Sequence, residues 1–235
     1  NQSDSVTVVS EDLKTETLEN FNIKNEIKAI PNFIDMSLYK QECSKSLRNN
    51  FARKEEAILV HISNFRKVKR VQDVIKVFEK VNKQIPSKLL MIGDGPERLK
   101  TEQLCRKLEI AKQVRFLGKL KGIGKMLFIA DIFVLPSETE SFGLVALEAM
   151  ASKVAVISTN SGGLPEVNID KRTGYLSDVG DLNKMANDTI DLLKDTDKLN
   201  EFKNNALAHA KTFDLPNILP QYEAIYQKLS CKMKK

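Results

Sequence analysis

The chain has 235 residues, 42% hydrophobic and 29% charged, which is too apolar for a disordered segment and too charged for a membrane bundle. At roughly 100–200 residues per domain, the length fits one large domain, or one domain with a piece of another. Lys and Arg number 37 against 31 Asp and Glu, a formal charge of +6; the cations sit beside glutamates, as in Glu97-Arg98-Leu99-Lys100, and read as a solvated surface without the basic, aromatic-interleaved stripe of a nucleic-acid binder. No run approaches the ~20 apolar residues of a membrane span, and the most apolar one, 126–136, is broken by Asp131. The opening Asn1-Gln2-Ser3-Asp4 lacks a basic-then-apolar pattern, so no signal peptide is expected. Cys43, Cys105 and Cys231 are odd in number and far apart. That is neither a disulfide framework nor a metal-ligand spacing, and a reducing cytoplasm is the simplest expectation.

In chain order, residues 5–10 read as a strand, 11–21 as a helix and 27–32 as a strand running into a turn. Such a unit cannot form its own core. It is expected to be the remnant of a preceding domain, or a segment packed on the side of the main sheet. Residues 36–55 are polar and read as a linker. From 56 to 178 short β-rich runs alternate with helical ones. Strands are expected at 57–63, 88–93, 114–117, 132–136, 154–158 and 174–176. Val71, Val74, Ile75, Val77, Phe78 and Val81 recur at helical spacing between the first two. Further helices are expected at 96–110 and 142–152, two between 181 and 212, and one over 215–232, opened by Pro216. Alternating strands and helices imply parallel crossovers, hence an α/β fold with a doubly wound, Rossmann-like parallel sheet. Ligands of such sheets bind outside the carboxyl ends of the strands.

The candidate chemistry sits at those ends. Pro136-Ser137-Glu138-Thr139-Glu140-Ser141-Phe142-Gly143-Leu144 follows one strand and opens a helix that carries Glu148. The first-turn N–H groups of that helix make an anion site, and Gly143 lets a ligand approach the backbone. Glu148 lies in an apolar helix and needs partners, which a pair of ribose hydroxyls would supply. Alternatively Glu148 faces solvent and Glu140 is a cap; the residues alone do not separate these readings. Asn64-Phe65-Arg66-Lys67-Val68-Lys69-Arg70 follows another strand, and its cations suit a pyrophosphate or form a plain surface cluster. Gly93-Asp94-Gly95-Pro96 permits a tight strand-to-helix turn but lacks the third glycine of a dinucleotide fingerprint. Gly122-Ile123-Gly124-Lys125 is no P-loop, because Lys119 and Met126 stand where Gly and Ser or Thr are required. In Ser161-Gly162-Gly163-Leu164-Pro165-Glu166, Glu166 either touches a ligand or sits in the first turn of a helix, where acids are favoured. His61 lies inside a strand and is expected in the core, and His209 on a terminal helix. No zinc site and no Ser-His-Asp arrangement is expected.

Together these segments resemble the nucleotide-binding half of retaining glycosyltransferases of the GT-B fold. The family hallmark is Glu, seven residues, Glu, with Phe-Gly after the first; here it is Glu140 to Glu148, with Phe142 and Gly143. Gly93-Asp94-Gly95-Pro96 and Gly162-Gly163-Leu164-Pro165-Glu166 fit as well. Ile62-Ser63-Asn64-Phe65-Arg66 and Ile30-Pro31-Asn32-Phe33-Ile34-Asp35 look most like the bacillithiol branch, whose members join N-acetylglucosamine to L-malate. The resemblance implies a UDP-sugar donor such as UDP-GlcNAc, a small acceptor such as L-malate, no metal and no other cofactor. It implies that Glu148 accepts from the ribose and Glu140 contacts the sugar. The N–H groups of Phe142, Gly143 and Leu144 would hold sugar and phosphates, and Lys69 with Arg66 or Arg70 would neutralise the pyrophosphate. Gly93 and Glu166 would line the donor site, and the backbone near Leu117, Gly118 and Lys119 would read the base. Many relatives carry Arg where this chain has Asn64, which leaves open the cation that meets the β-phosphate. The expected layout is 1–35 from an acceptor domain and its linker, 36–213 as donor domain, and 214–235 as a helix crossing back. A homodimer is left open.

Overall fold

The structure, a computed structural model, describes residues 3–39 and 44–233. A small front unit holds strand β1 (Val6–Val8), helix α1 (Glu11–Asn20) and strand β2 (Ile27–Ala29), with β1 and β2 paired in parallel. Ser10 accepts the Leu13 N–H and starts α1 as its N-cap. A 3-10 turn (Met36–Tyr39) and the short helix α2 (Lys45–Asn49) lead into the main domain.

There the chain runs through β3 (Ala57–Ser63), α3 (Val71–Asn82), β4 (Ser87–Gly93), α4 (Arg98–Lys107), β5 (Val114–Gly118) and α5 (Gly124–Phe128). It continues through β6 (Ile132–Leu135), α6 (Leu144–Ala151), β7 (Ala155–Thr159), α7 (Leu164–Val167), β8 (Gly174–Ser177), α8 (Leu182–Lys194), α9 (Thr196–Ala210) and α10 (Leu215–Met233). The six strands stand in the order β5-β4-β3-β6-β7-β8, all parallel. The strands expected from the sequence are present, and the order reverses between β3 and β6. At such a reversal the connecting chains leave toward opposite faces and open a crevice.

The inner strands β3, β4, β6 and β7 bury both faces. On β3, Leu59 joins the layer containing α3 and α8, while Ile58 and Val60 join the layer containing α6 and α9. The apolar positions of α3 that showed helical spacing are all buried. Asp181 and Asp195 cap α8 and α9, accepting the N–H groups of Lys184 and Lys198.

Two expectations are corrected. Residues 44–55 do not form a loose linker; residues 40–43 lie outside the described residues. Arg48 of α2 donates to the Ile129 carbonyl at 2.5 Å, the Glu56 carbonyl at 2.9 Å and Asp131 at 2.8 Å. Asp131, at the start of β6, also takes the Ile58 N–H at 2.9 Å and Lys203 of α9 at 3.1 Å. A polar stretch reads as solvated when its partner lies far away in sequence. The second correction is α5, a short helix where no element was expected.

Burial alone would raise the Asp131 carboxyl. Lys203, Arg48 and the Ile58 N–H outweigh it and hold the group below its ordinary value of 3.8. Replacing Asp131 by Ala leaves Arg48 and Lys203 without their carboxylate. The expected loss is about 2–4 kcal/mol, read as a lower urea midpoint at unchanged slope. A depressed folded-state pKa stabilises above the unfolded value and ceases to do so as pH falls through the folded one. The gap between wild type and Asp131→Ala is therefore widest near neutral pH and narrows below about pH 4.

Candidate functional site

The loops after β3 and β6 lie side by side at the reversal point. Lys69 Nζ stands 2.6 Å from Glu140 Oε1, with 20% and 13% of the two side chains exposed. Ser137 Oγ donates to the same oxygen at 2.9 Å. The backbones are stitched as well: the Glu138 N–H donates to the Val68 carbonyl at 2.8 Å. The loop after β7 closes on the other side. Ser161 Oγ donates to the Glu138 carbonyl at 2.7 Å, and the Gly163 N–H to the Glu140 carbonyl at 2.8 Å. Gly162 has φ +63°, and a Cβ there would fall 2.1 Å from the Glu140 carbonyl oxygen. Only glycine lets these backbones meet. Glu140 is thus fixed through both its main chain and its carboxylate.

Gly143 caps α6 with φ +91°, and a Cβ there would lie 2.6 Å from a Leu164 methyl. The Ala146 N–H turns back to the Gly143 carbonyl, while the N–H groups of Leu144 and Val145 have no earlier helical carbonyl to bind. The Phe142 side chain is buried against Phe213 at 5.8 Å, so only its backbone is available to a ligand; Leu144 is exposed. Glu148, one and a half turns on, is half-buried. Burial pushes its pKa up, and a hydrogen bond from Tyr39 Oη at 3.3 Å opposes that. The Tyr39 phenol is pushed up by burial and by the neighbouring Glu148 charge. Both side chains line a cleft of about 400 Å³ with Leu38, Ile123, Lys125 and Phe128.

The other candidates spread around this edge. Gly93 has φ +123°, and a Cβ would come within 1.8 Å of the Ser63 carbonyl oxygen, so β4 ends hard against the β3 loop. Asn64 and Arg66 are exposed, and among the described residues Arg66 makes no salt bridge. Arg70 is in the left-handed region at φ +48° and pairs with Asp73 of α3 at 2.5 Å. The cation expected near a pyrophosphate from Arg70 is thus tied to its own helix, whereas Arg66 is not. Gly118 (φ +66°) borders open space, and Lys119 is exposed. Glu166 takes the N–H groups of Glu11 and Asp12 at 3.0 Å each. Glu166 sits in the first turn of α7, as one of its two sequence readings has it, and from there its carboxylate caps the start of α1. Ser10 Oγ adds a bond to the Ser141 carbonyl at 2.7 Å, so the front unit docks on the loops that carry Glu140 and Gly163.

His61 is fully buried, bound to the Val134 carbonyl and Ser63 Oγ, and its pKa is lowered to about 4 by burial. It is the packed core residue that its strand position implied. The sequence reading missed Tyr39, which lies in no motif, and the role of Ser137, which lay inside the quoted loop.

A family model described as glycosyl transferases group 1 matches residues 44–209. N-acetyl-alpha-D-glucosaminyl L-malate synthase of Bacillus anthracis is 44% identical over 227 residues, covering 96% of this chain and 60% of that protein. Sucrose-phosphate synthase from Thermosynechococcus elongatus superposes with a TM-score of 0.88 at 24% identity, over 98% of this chain and 59% of that one. HepE of Anabaena, solved in complex with UDP, superposes at 0.87 with 25% identity, over 97% of this chain and 64% of that one. The chain therefore spans about three fifths of the length of these relatives. Its six-stranded parallel sheet has the Rossmann-like fold of GT-B glycosyltransferase structures, and the chain belongs to the glycosyl transferases group 1 family.

Proposed function

We propose that this chain is the donor-binding half of a retaining glycosyltransferase that moves N-acetylglucosamine from a UDP-sugar to L-malate. The observation that carries the reading is the meeting of Lys69 and Glu140, 71 positions apart, beside the N-terminus of α6. A cation, a carboxylate and a set of helix N–H donors at one sheet edge suit a sugar bonded to a diphosphate. The 44% identity to the Bacillus anthracis enzyme supports the sugar and the acceptor. The UDP complex of HepE supports the base.

In this reading Glu148 binds the ribose and Glu140 the sugar hydroxyls. The bond between the anomeric carbon and the β-phosphate oxygen breaks, and the electron pair leaves with UDP. Charge then grows on the phosphate oxygens, where Lys69, Arg66 and the N–H groups of Gly143 and Leu144 stabilise it. The malate hydroxyl attacks from the same face and gives its proton to the departing phosphate, which retains configuration. No metal ion is part of the reading. Residues 1–35 and 214–235 belong to the acceptor side, a placement supported by the exposed Leu18, Phe21 and Tyr226 on α1, the segment after it and α10. The setting is the cytoplasm.

Calorimetric titration with UDP, with GDP and ADP as controls, tests the donor site. UDP is expected to bind selectively, and Glu148→Ala to weaken it about 10–100-fold, the worth of hydrogen bonds to a charged group. Selectivity for another base, or an unchanged Glu148→Ala, refutes the reading. In a longer chain that includes the preceding domain, Lys69→Met is expected to lower kcat at least about 100-fold with a small change in donor KM. Turnover on L-malate at the wild-type rate would contradict the role given to Lys69.

A further inference from the structure

We infer that Tyr39 is a positioning residue for the donor: its hydroxyl holds the Glu148 carboxylate in the orientation that receives the ribose diol. The inference rests on the donor-site reading above and adds to it a residue from outside the main domain's motifs.

The Glu148 carboxylate projects from a helix whose neighbouring Leu147, Ala149 and Met150 are fully buried. Its cleft is walled by Leu38, Ile123 and Phe128. A carboxylate there loses water on most sides and needs donors in exchange. Among the described residues its side chain receives one, from Tyr39 Oη to Oε1 at 3.3 Å. A carboxylate has about four lone-pair sites, so one donor on Oε1 leaves room for two vicinal hydroxyls. The Glu side chain turns about three bonds, and a fixed partner removes freedom that ligand binding would otherwise have to freeze. Tyr39 also favours the charged form against the upward pull of burial. Lys125 lines the same cleft, from α5, and is the other titratable neighbour there.

Tyr39 is itself well placed to hold still. It ends the 3-10 turn Met36–Tyr39, whose first N–H donates to Asp214 Oδ1 at 3.0 Å. Just before the turn, Ile34 exchanges backbone bonds with Phe213 and Leu215 at 3.0 and 2.8 Å. The partner of Glu148 thus stands on the stretch that joins the front unit to the main domain, 109 positions from it in sequence. Ribose binding and the seating of that stretch share one hydrogen bond.

The test is titration of the wild-type chain, Tyr39→Phe, Glu148→Gln and the double variant with UDP and with 2′-deoxy-UDP. Tyr39→Phe keeps the ring and is expected to melt at the wild-type temperature. It is expected to weaken UDP about 3–10-fold, less than the full worth of a hydrogen bond to a charged group because Tyr39 acts through Glu148, and to leave 2′-deoxy-UDP within about twofold of wild type, because the bond matters only through the diol. The double variant is expected to bind UDP no more weakly than Glu148→Gln. Unchanged UDP affinity in Tyr39→Phe, with Glu148→Gln weakened, overturns the inference and leaves the donor site standing. Equal loss for both nucleotides in Tyr39→Phe also overturns it, since the ring would then act by packing. No effect of Glu148→Gln on UDP refutes the donor site and the inference together.

Discussion

A parallel sheet buried on both faces has polar chemistry to offer only at its ends. In this chain the constraint is strict, because β3, β4, β6 and β7 are apolar almost throughout and covered on both sides. Every strand points the same way, so all the carboxyl ends share one edge. Residues from loops far apart in sequence must then meet there. The reversal between β3 and β6 decides which loops become neighbours, and Lys69 and Glu140 are the result. A nearly buried lysine and carboxylate lose hydration and recover it in part from each other and from Ser137, so the pair adds little to stability. Its worth lies in holding two opposite charges, already desolvated, where a charged ligand can use both.

The edge is held rigid by backbone rather than by bulk. The loops after β3, β6 and β7 exchange main-chain bonds, and Gly162 and Gly93 remove the side chains that would keep them apart. Below, the His61 imidazole binds a β6 carbonyl and a β3 serine, joining the two central strands under the site. Further out, Asp131 gathers α2, β3 and α9. Groups aimed at a developing charge help most when they do not need to reorganise, and this layering supplies that stiffness.

Much of this was legible in the sequence. Apolar periodicity gave the strands and α3, because burial on two faces leaves a near-continuous apolar run and burial on one helical face leaves a 3.6-residue rhythm. Glu140 and Lys69 were marked by their place after strands and by the family resemblance, although nothing in the string paired them. What escaped depended on distant partners. Arg48 looks the same in sequence whether it is solvated or bound to Asp131. Tyr39 has no motif and acquires meaning only from its 3.3 Å approach to Glu148. Glu166 sits in a first helical turn, as its sequence allowed, yet it serves the start of a different helix, and no local rule identifies which.

The sheet order carries one more implication, for the order of assembly. β3, β4 and β5 are neighbours in sequence and in space, and so are β6, β7 and β8. Each trio can grow through successive crossovers. In the sheet the trios pair along β3 and β6, where Leu59 faces Ile132 and Val60 faces Phe133, and α3 packs with α8 in one core layer across the same line. The strand pairing there closes the longest loop in the sheet, so its entropic cost comes before the ladder and the packing of α3 on α8 repay it. Lys69 belongs to one trio and Glu140 to the other. A chain whose trios have formed but not joined has strands, helices and much of its core, and no site at all. Recovery of the ion pair across the seam during refolding thus reports the joining of the two trios rather than the growth of either half.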